Sequence, residues 1–384
     1  MKLSSTFTKL VAIAGFGVGC TLIYDAGDFA PGGQTLDATS LSDATAPDAI
    51  RDPCEHALSA ARPDAGDVGP RSTLTFAISH LALVAGNSTT LGFDLDGICT
   101  CDTRPGSPRG GGSSCAPRKP EEVLCDGPGG RDNGAATLFS RVVPDRAEAG
   151  VDVGFDLSAS EGVESIVVQI EEYNGAGSDP SVLLALYDSP GLDAPKACDG
   201  GTVLDAGVNS GGKPRPSWGG CDAWQIGEGS LIGGRPRTFT RVAWVADGVV
   251  VGKFGTMAIR IGRSELLLFD ATFQATLVKP ATGLLRLERG VLTGRAVGVD
   301  LLRTFGEQEI GGRALCRDAL TYAVFRTAAC NSFDLGSNQD AAAPCDSISF
   351  SAEIEAKLAQ RGSVAKSADA ATGCLDAGDF ARCP

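Results

Sequence analysis

Apolar and polar residues alternate with period two along much of the chain after residue 70, the mark of half-buried strands. The alternation starts near Ser72, where Leu74, Phe76, Ile78 and His80 fall on one side and Thr73, Thr75, Ala77 and Ser79 on the other. On that apolar face His80 reads as a satisfied core residue. Val151, Val153, Phe155 and Leu157 alternate with Asp152, Gly154, Asp156 and Ser158 and predict a further strand. Ile166 to Tyr173 and Val182 to Tyr187 flank the turn NGAGSDP and read as a hairpin. Thr238 to Ala246 and Val249 to Phe254 are separated by Asp247-Gly248 alone, the strongest short hairpin signal. Phe269 to Leu277, Leu284 to Leu287 and Val291 to Val297 continue as a meander. In SISFSAEIEAKL, Ile348, Phe350, Ala352, Ile354, Ala356 and Leu358 alternate without error against Ser347, Ser349, Ser351, Glu353, Glu355 and Lys357. Only a strand sorts those residues into one apolar and one wet face.

Helical signals are few. CEHALSAAR after Asp52-Pro53, Asp300 to Phe305, and Asp318 to Ala329 with Asp318 as N-cap are the candidates. Fifty-one Gly and 20 Pro with only 6% aromatic residues favour many turns between short elements. The expected fold is all-β: a mostly antiparallel β-sandwich of jelly-roll or concanavalin-like type, with few short helices and many disulfides. It would occupy residues 53–384, with a subdivision near residue 235 between a cysteine-rich front and a β-meander back.

The first 52 residues follow another pattern. Lys2 and Lys9 precede the apolar run Leu10 to Val18, then Gly19 and Cys20, the charged, apolar and small-residue order of a secretory signal. The run is too short to span a bilayer, which takes about 20 apolar residues. Gly17-Val18-Gly19-Cys20 resembles the lipobox of bacterial lipoproteins, which implies a signal peptide over 1–19 and acylation of Cys20 on sulfur. From Tyr24 to Asp52 the chain is Asp, Ala, Thr, Gly and Pro without periodicity, so residues 20–52 read as a lipidated Cys with a flexible tether.

Cysteine parity agrees with that reading. Removing Cys20 from the 13 cysteines leaves an even set, which in an exported chain reads as a disulfide framework. Cys99 and Cys101 are expected to pair with Cys115 and Cys125 in some order, Cys198 with Cys221, and Cys316 with Cys330. Cys54, Cys345, Cys374 and Cys383 are left for long-range closures.

Net charge changes the picture by exclusion. At −14, and more negative once Lys2 and Lys9 leave, the chain is unsuited to nucleic acid or to anionic head groups.

The most chemically loaded stretch is Phe93 to Asn133, with four cysteines and seven acidic residues in a Gly/Pro-rich loop. Zinc is disfavoured by the CxC spacing, the lack of neighbouring His and an oxidising compartment. Calcium fits the carboxylates better: Asp94 and Asp96 share a face, and Asp126, Asp132 and Asn133 lie in a second turn that a disulfide could bring close. The spacing is not that of an EF-hand, and Asp-Gly and Asp-Asn also simply make turns.

No GxSxG, HExxH or Walker pattern occurs, and with His56 and His80 alone a Ser/His/Asp triad has little to work with. No catalytic residue is assigned. A pair of carboxylates could still run glycoside hydrolysis, and Trp218, Trp224, Tyr173 and Tyr187 are either a sugar-stacking platform or core packing.

The lipobox, YDAGDF, an Asp/Ala tether, GFDLDGICTC, CDGPGGRDN, IEEYNG, WGGCDAW and CDSISFSAEIEA, in that order, resemble uncharacterised secreted lipoproteins of myxobacterial type. The resemblance runs from Cys20 onward and implies location and domain extent, with no site residue to carry over. The expected protein is a non-enzymatic binding or structural module. It is held to a bacterial membrane, the outer one, by its lipid, with a glycan or protein as ligand and calcium as the candidate cofactor. The alternatives are a carboxylate-dependent carbohydrate hydrolase and a calcium-dependent glycan-binding module.

Overall fold

A computed structural model describes residues 55–383 except 67, 84–89, 102–112, 120–122, 143–152, 195–206, 210, 262–263, 282, 311–312, 338–339, 367–373 and 375–380. The signal segment, Cys20, the tether, Cys54 and Cys198 lie outside the described residues. Residues 54–384 form one compact unit by their contacts.

The core of that unit is a closed barrel of eight strands: β1 (Ser72–Ala82), β2 (Ser165–Tyr173), β3 (Asp179–Ser189), β4 (Thr238–Ala246), β5 (Val249–Ile261), β6 (Ser264–Val278), β7 (Arg286–Val297) and β8 (Ser347–Leu358). Each strand pairs antiparallel with the next, and β8 returns to pair with β1. This corrects the expected sandwich. Alternation is the same in both architectures; what differs is whether the first and last strands meet, and here Phe76 lies opposite Leu358.

The interior is apolar and filled. Phe76 and Ile78, Val168 and Ile170, Leu184, Phe273, Phe350 and Ile354 each expose none or about 1% of their surface inside it. The outward face carries Arg241, Arg286, Arg289, Glu355 and Lys357, all exposed. That distribution is the inverse of a lipid-spanning barrel, whose apolar band faces out. No helix among the described residues is long and apolar enough to cross a membrane.

Closure demands bends, and bulges supply them. In β1 the register shifts between Ile78 and His80, so Leu81 takes the inward position and His80 is turned out beside Glu355. His80 is therefore not the core residue its alternation suggests. In β7 a bulge between Leu287 and Gly290, with Arg289 at φ 48°, merges two expected strands into one. The β4–β5 hairpin turns on Asp247 (φ 49°) and Gly248 (φ 78°), both left-handed as a two-residue turn of the primed type requires.

Among the described residues, four short α-helices decorate the barrel: α1 (Gly134–Val142), α2 (Val153–Ser160), α3 (Gly298–Gly306) and α4 (Ala319–Cys330). The last two were legible, and Asp318 caps α4 by accepting the Thr321 amide at 3.1 Å. Helix α2 replaces the strand expected at 151–157. Gly162 (φ 68°) ends it in a Schellman motif, its amide bonded to Ala159 O at 3.1 Å and that of Val163 to Ser158 O at 2.9 Å. The helix expected at 54–62 is irregular backbone from Glu55 onward, tied to the barrel by Ala60 N to Gln274 Oε1 at 2.8 Å and Trp244 Nε1 to Ala60 O at 3.2 Å.

A three-stranded sheet of Leu192–Ala194, Ala223–Gly227 and Gln360–Ala365 covers the outside of β1 to β3. Trp224 (0% exposed) and Tyr187 (1%) are packed there, with Trp218 5.6 Å from Trp224, while Tyr173 is buried in the barrel cluster. The aromatic residues pack the core and do not form an open sugar platform.

Disulfides join Cys101 to Cys125, Cys115 to Cys345, Cys316 to Cys374 and Cys330 to Cys383; Cys99 and Cys221 are also disulfide-bonded. The first pair follows the local expectation. The pairings of Cys115 with its own loop and of Cys316 with Cys330 do not occur: Cys330 ends α4 and faces the carboxyl-terminal segment, so both cysteines staple the chain's end to the helices.

Candidate cation site

Two loops meet on the outer face of β8. The Cys101–Cys125 bridge joins them at the base, and hydrogen bonds from backbone amides continue the seam: Thr100 N to the Asp126 carboxylate Oδ2 at 2.5 Å, Asp132 N to Phe93 O at 3.2 Å and Leu95 N to the Asp132 carboxylate Oδ2 at 2.7 Å. The turn at 128–130 folds tightly against the first loop. At Gly130 (φ 69°) a Cβ would sit 2.9 Å from Asp94 Oδ2 and 2.8 Å from Cys99 Sγ, so only glycine fits.

The loops bring the predicted carboxylates together. Asp94, Asp96 and Asp132 each offer an oxygen within 4.8 Å of the others. Asp94 is 1% exposed in its side chain, accepts the Gly97 amide at 2.7 Å and pairs with His56 Nδ1. Asp96 accepts Ile98 N at 2.9 Å. Asp126 lines a small pocket of about 50 Å³ with Asn133 and with Asp334, a residue the sequence reading missed. The Asn133 side chain also caps α1, accepting Ala136 N at 3.3 Å, which makes it a helix-capping group beside the cluster.

Beneath the loops lies the serine face of β8. Ser347, Ser349 and Ser351 are fully buried, which corrects the wet face expected of them. Asp334 accepts the Ser349 amide at 2.8 Å and its hydroxyl; that hydroxyl in turn accepts Gly134 N at 2.5 Å. Ser351 is 2.9 Å from Thr293 Oγ1. The Cys115–Cys345 bridge, with Ala116 N to Ala343 O at 2.7 Å and Cys345 N to Ala116 O at 3.0 Å, delivers Ser114 to the same place.

The electrostatics are lopsided. Burial pushes Asp132 up to about 10, with the charges of Asp96, Asp334 and Asp126 adding to it. Asp126 is raised to about 7, again by burial first and then by Asp96 and Asp334. Asp334 rises to about 6 through burial, despite the opposing Ser349 bonds, and Asp96 is raised by burial. Among the described residues none of these four is paired with Lys or Arg. The hydroxyl of Ser114, a residue 8% exposed, favours the ionised form of Asp96, yet Oγ has no hydrogen-bond partner of normal geometry.

Crowded, largely buried carboxylates with a buried hydroxyl beside them are a donor set for a hard cation. Calcium takes six to eight such oxygens in flexible geometry, whereas magnesium keeps its water and uses one or two carboxylates. Asp94, Asp96, Asp132 and Ser114 fit the first description. His56, Asp94 and Cys99 also converge, but Cys99 is in a disulfide and brings no thiolate for zinc. No protein-family model, curated protein or solved structure matches the chain, so the site's chemistry rests on its own geometry.

Proposed function

We propose that this chain is a calcium-stabilised, disulfide-bonded barrel that serves as a binding or structural module of the bacterial envelope, carried at the outer membrane by lipid on Cys20 and by the 20–52 tether. Kinship with the uncharacterised myxobacterial lipoproteins belongs to the same proposal. The observation that carries the calcium reading is the convergence of Asp94, Asp96 and Asp132, whose oxygens lie within 4.8 Å of one another, with Asp126 and Asp334 nearby and none of Asp96, Asp126, Asp132 and Asp334 paired with Lys or Arg among the described residues. Uncompensated buried charge is costly, and a divalent cation supplies the missing countercharge. A glycoside hydrolase would present its two carboxyls to a polysaccharide, and Asp132 is only 2% exposed.

The test is thermal unfolding in calcium and in chelator. Binding at 100 times Kd stabilises by about 2.7 kcal/mol, and equal midpoints in the two conditions reject the calcium reading. For anchorage, Cys20→Ala should release the chain from membranes or block its processing; unchanged membrane retention rejects the lipid anchor.

A further inference from the structure

A second opening lies beside the cation site, on the outer face of β4, β5 and β6. Its volume is about 410 Å³, within the range of a small-ligand site. The kink that makes it is visible in the strands. Phe254 and Met257 both point into the barrel although they are an odd number of positions apart, with two residues between them, as do Leu268 and Ala271 on β6, with Asp270 at φ 50° between the latter. Both strands thus change phase at the same level, which splays their outer surface there. The segments at 58–59 and 93–95 form the other wall.

The lining pairs apolar surface with one uncompensated charge. Leu58 and Val242 are 72% and 56% exposed at its rim. Asp270 is taken by Arg295 at 3.1 Å, and Asp94 is engaged by His56 and the Gly97 amide. Lys253 is different. Its Nζ donates to Thr272 Oγ1 at 3.0 Å and stands 5.9 Å from the Phe93 ring centre, but no carboxylate pairs with it among the described residues. Half-buried as it is, its pKa is lowered by desolvation. A partly desolvated ammonium in a cleft is favoured by an anion that completes its coordination.

We propose that this cleft binds a small monoanionic amphiphile, a carboxylate on an aliphatic body, with the head group on Lys253 Nζ and the body against Leu58 and Val242. Exposed aliphatic rims suit a hydrocarbon, whereas a sugar acid would want the Phe93 face that Lys253 already covers. The inference gives the binding-module reading a ligand class and does not depend on calcium.

The experiment is calorimetric titration of the full chain carrying Cys20→Ser, so that neither acyl chain nor detergent competes. The probes are octanoate, octan-1-ol and glucuronate. Octanoate should bind saturably, one per chain, with octan-1-ol about tenfold weaker because it lacks the charge. Lys253→Met should bring octanoate down to the level of octan-1-ol, Lys253→Arg should retain it, and Val242→Asp should weaken it about tenfold by placing a carboxylate against the aliphatic body. Equal binding of octanoate and octan-1-ol, tighter binding of glucuronate, unchanged octanoate binding in Lys253→Met, or no saturable octanoate signal up to about 10 mM each overturns the proposal. Near-UV circular dichroism checks the fold of each variant. A calcium-dependent melting shift that persists without octanoate binding removes the cleft proposal alone; octanoate binding without a calcium shift removes the calcium reading alone.

Discussion

Asp334 holds Ser349 twice, its Oδ1 accepting the strand amide at 2.8 Å and its Oδ2 accepting the hydroxyl. Ser349 Oγ passes the connection on by accepting the amide of Gly134, the first residue of α1. One serine on β8 thus links a carboxylate of the cation site to the helix that starts beside it. Ser349→Ala leaves a buried carboxylate oxygen and a buried amide without partners. The expected cost is about 1–3 kcal/mol, read as a lowered denaturation midpoint with unchanged slope. A loss below a few tenths of a kcal/mol would show that water replaces the hydroxyl.

The acid cluster fixes the sign of a pH dependence. A carboxyl whose pKa is higher in the folded than in the unfolded chain binds its proton more tightly when folded, so stability falls as pH rises. Asp334, Asp126 and Asp132 move from the ordinary 3.8 to about 6, about 7 and about 10. In chelator the melting temperature should therefore fall from about pH 4 upward, most steeply to about pH 6 and more gently above about pH 7, where Asp132 alone still holds its proton. Calcium binds the ionised form and should flatten that slope. A slope identical with and without calcium would separate the cluster from the metal.

His80 adds a second contribution of the same sign. The hydrogen bond and charge of Asp156, with Glu355 and Glu353 beyond, raise its pKa against the opposing effect of burial. Stability from this pair is full below the unfolded histidine value and is lost as pH rises through the folded one. His80→Gln should flatten the neutral part of the pH–stability curve and leave the calcium response intact. Helix α2 should also loosen, since Asp156 bonds both His80 at 2.6 Å and the Leu81 amide at 3.1 Å; hydrogen exchange of that amide reads the loosening directly.

The Cys115–Cys345 bridge joins positions 230 residues apart. Replacing both cysteines by Ala removes up to about 5 kcal/mol on the chain-entropy estimate, less where the other bridges already shorten the loop. Because the bridge also positions Ser114, calcium affinity should fall together with stability. Retained affinity in a folded double variant would show that Ser114 takes no part.

How legible all this was depends on the range of the interaction. The Asp247-Gly248 hairpin, the apolar face of Ile348 to Ala356 and the Asp318 cap are local, and each was readable. Val153 to Ser160 was not, because four alternations over eight residues suit a short helix equally once Gly162 supplies its end. The convergence of Asp94, Asp96 and Asp132 was accessible through the disulfide expected to join the two turns, whereas Asp126 lies beside them in the pocket it lines with Asp334. Asp334 sits more than 200 residues further on, in a segment with no periodicity. The one signal for it was a polar face of three serines without charge on β8, a surface suited to being covered by hydrogen-bonding partners.

The β1–β8 pairing has a kinetic consequence. Phe76 meets Leu358 across nearly the whole length of the domain, so a chain emerging amino end first exposes both barrel edges until its last long strand appears. Contacts of such separation form slowly, and open edges invite wrong partners in the interval. Folding must therefore wait for the carboxyl-terminal strand, and truncation anywhere before residue 358 should yield an aggregating sheet in place of a smaller domain.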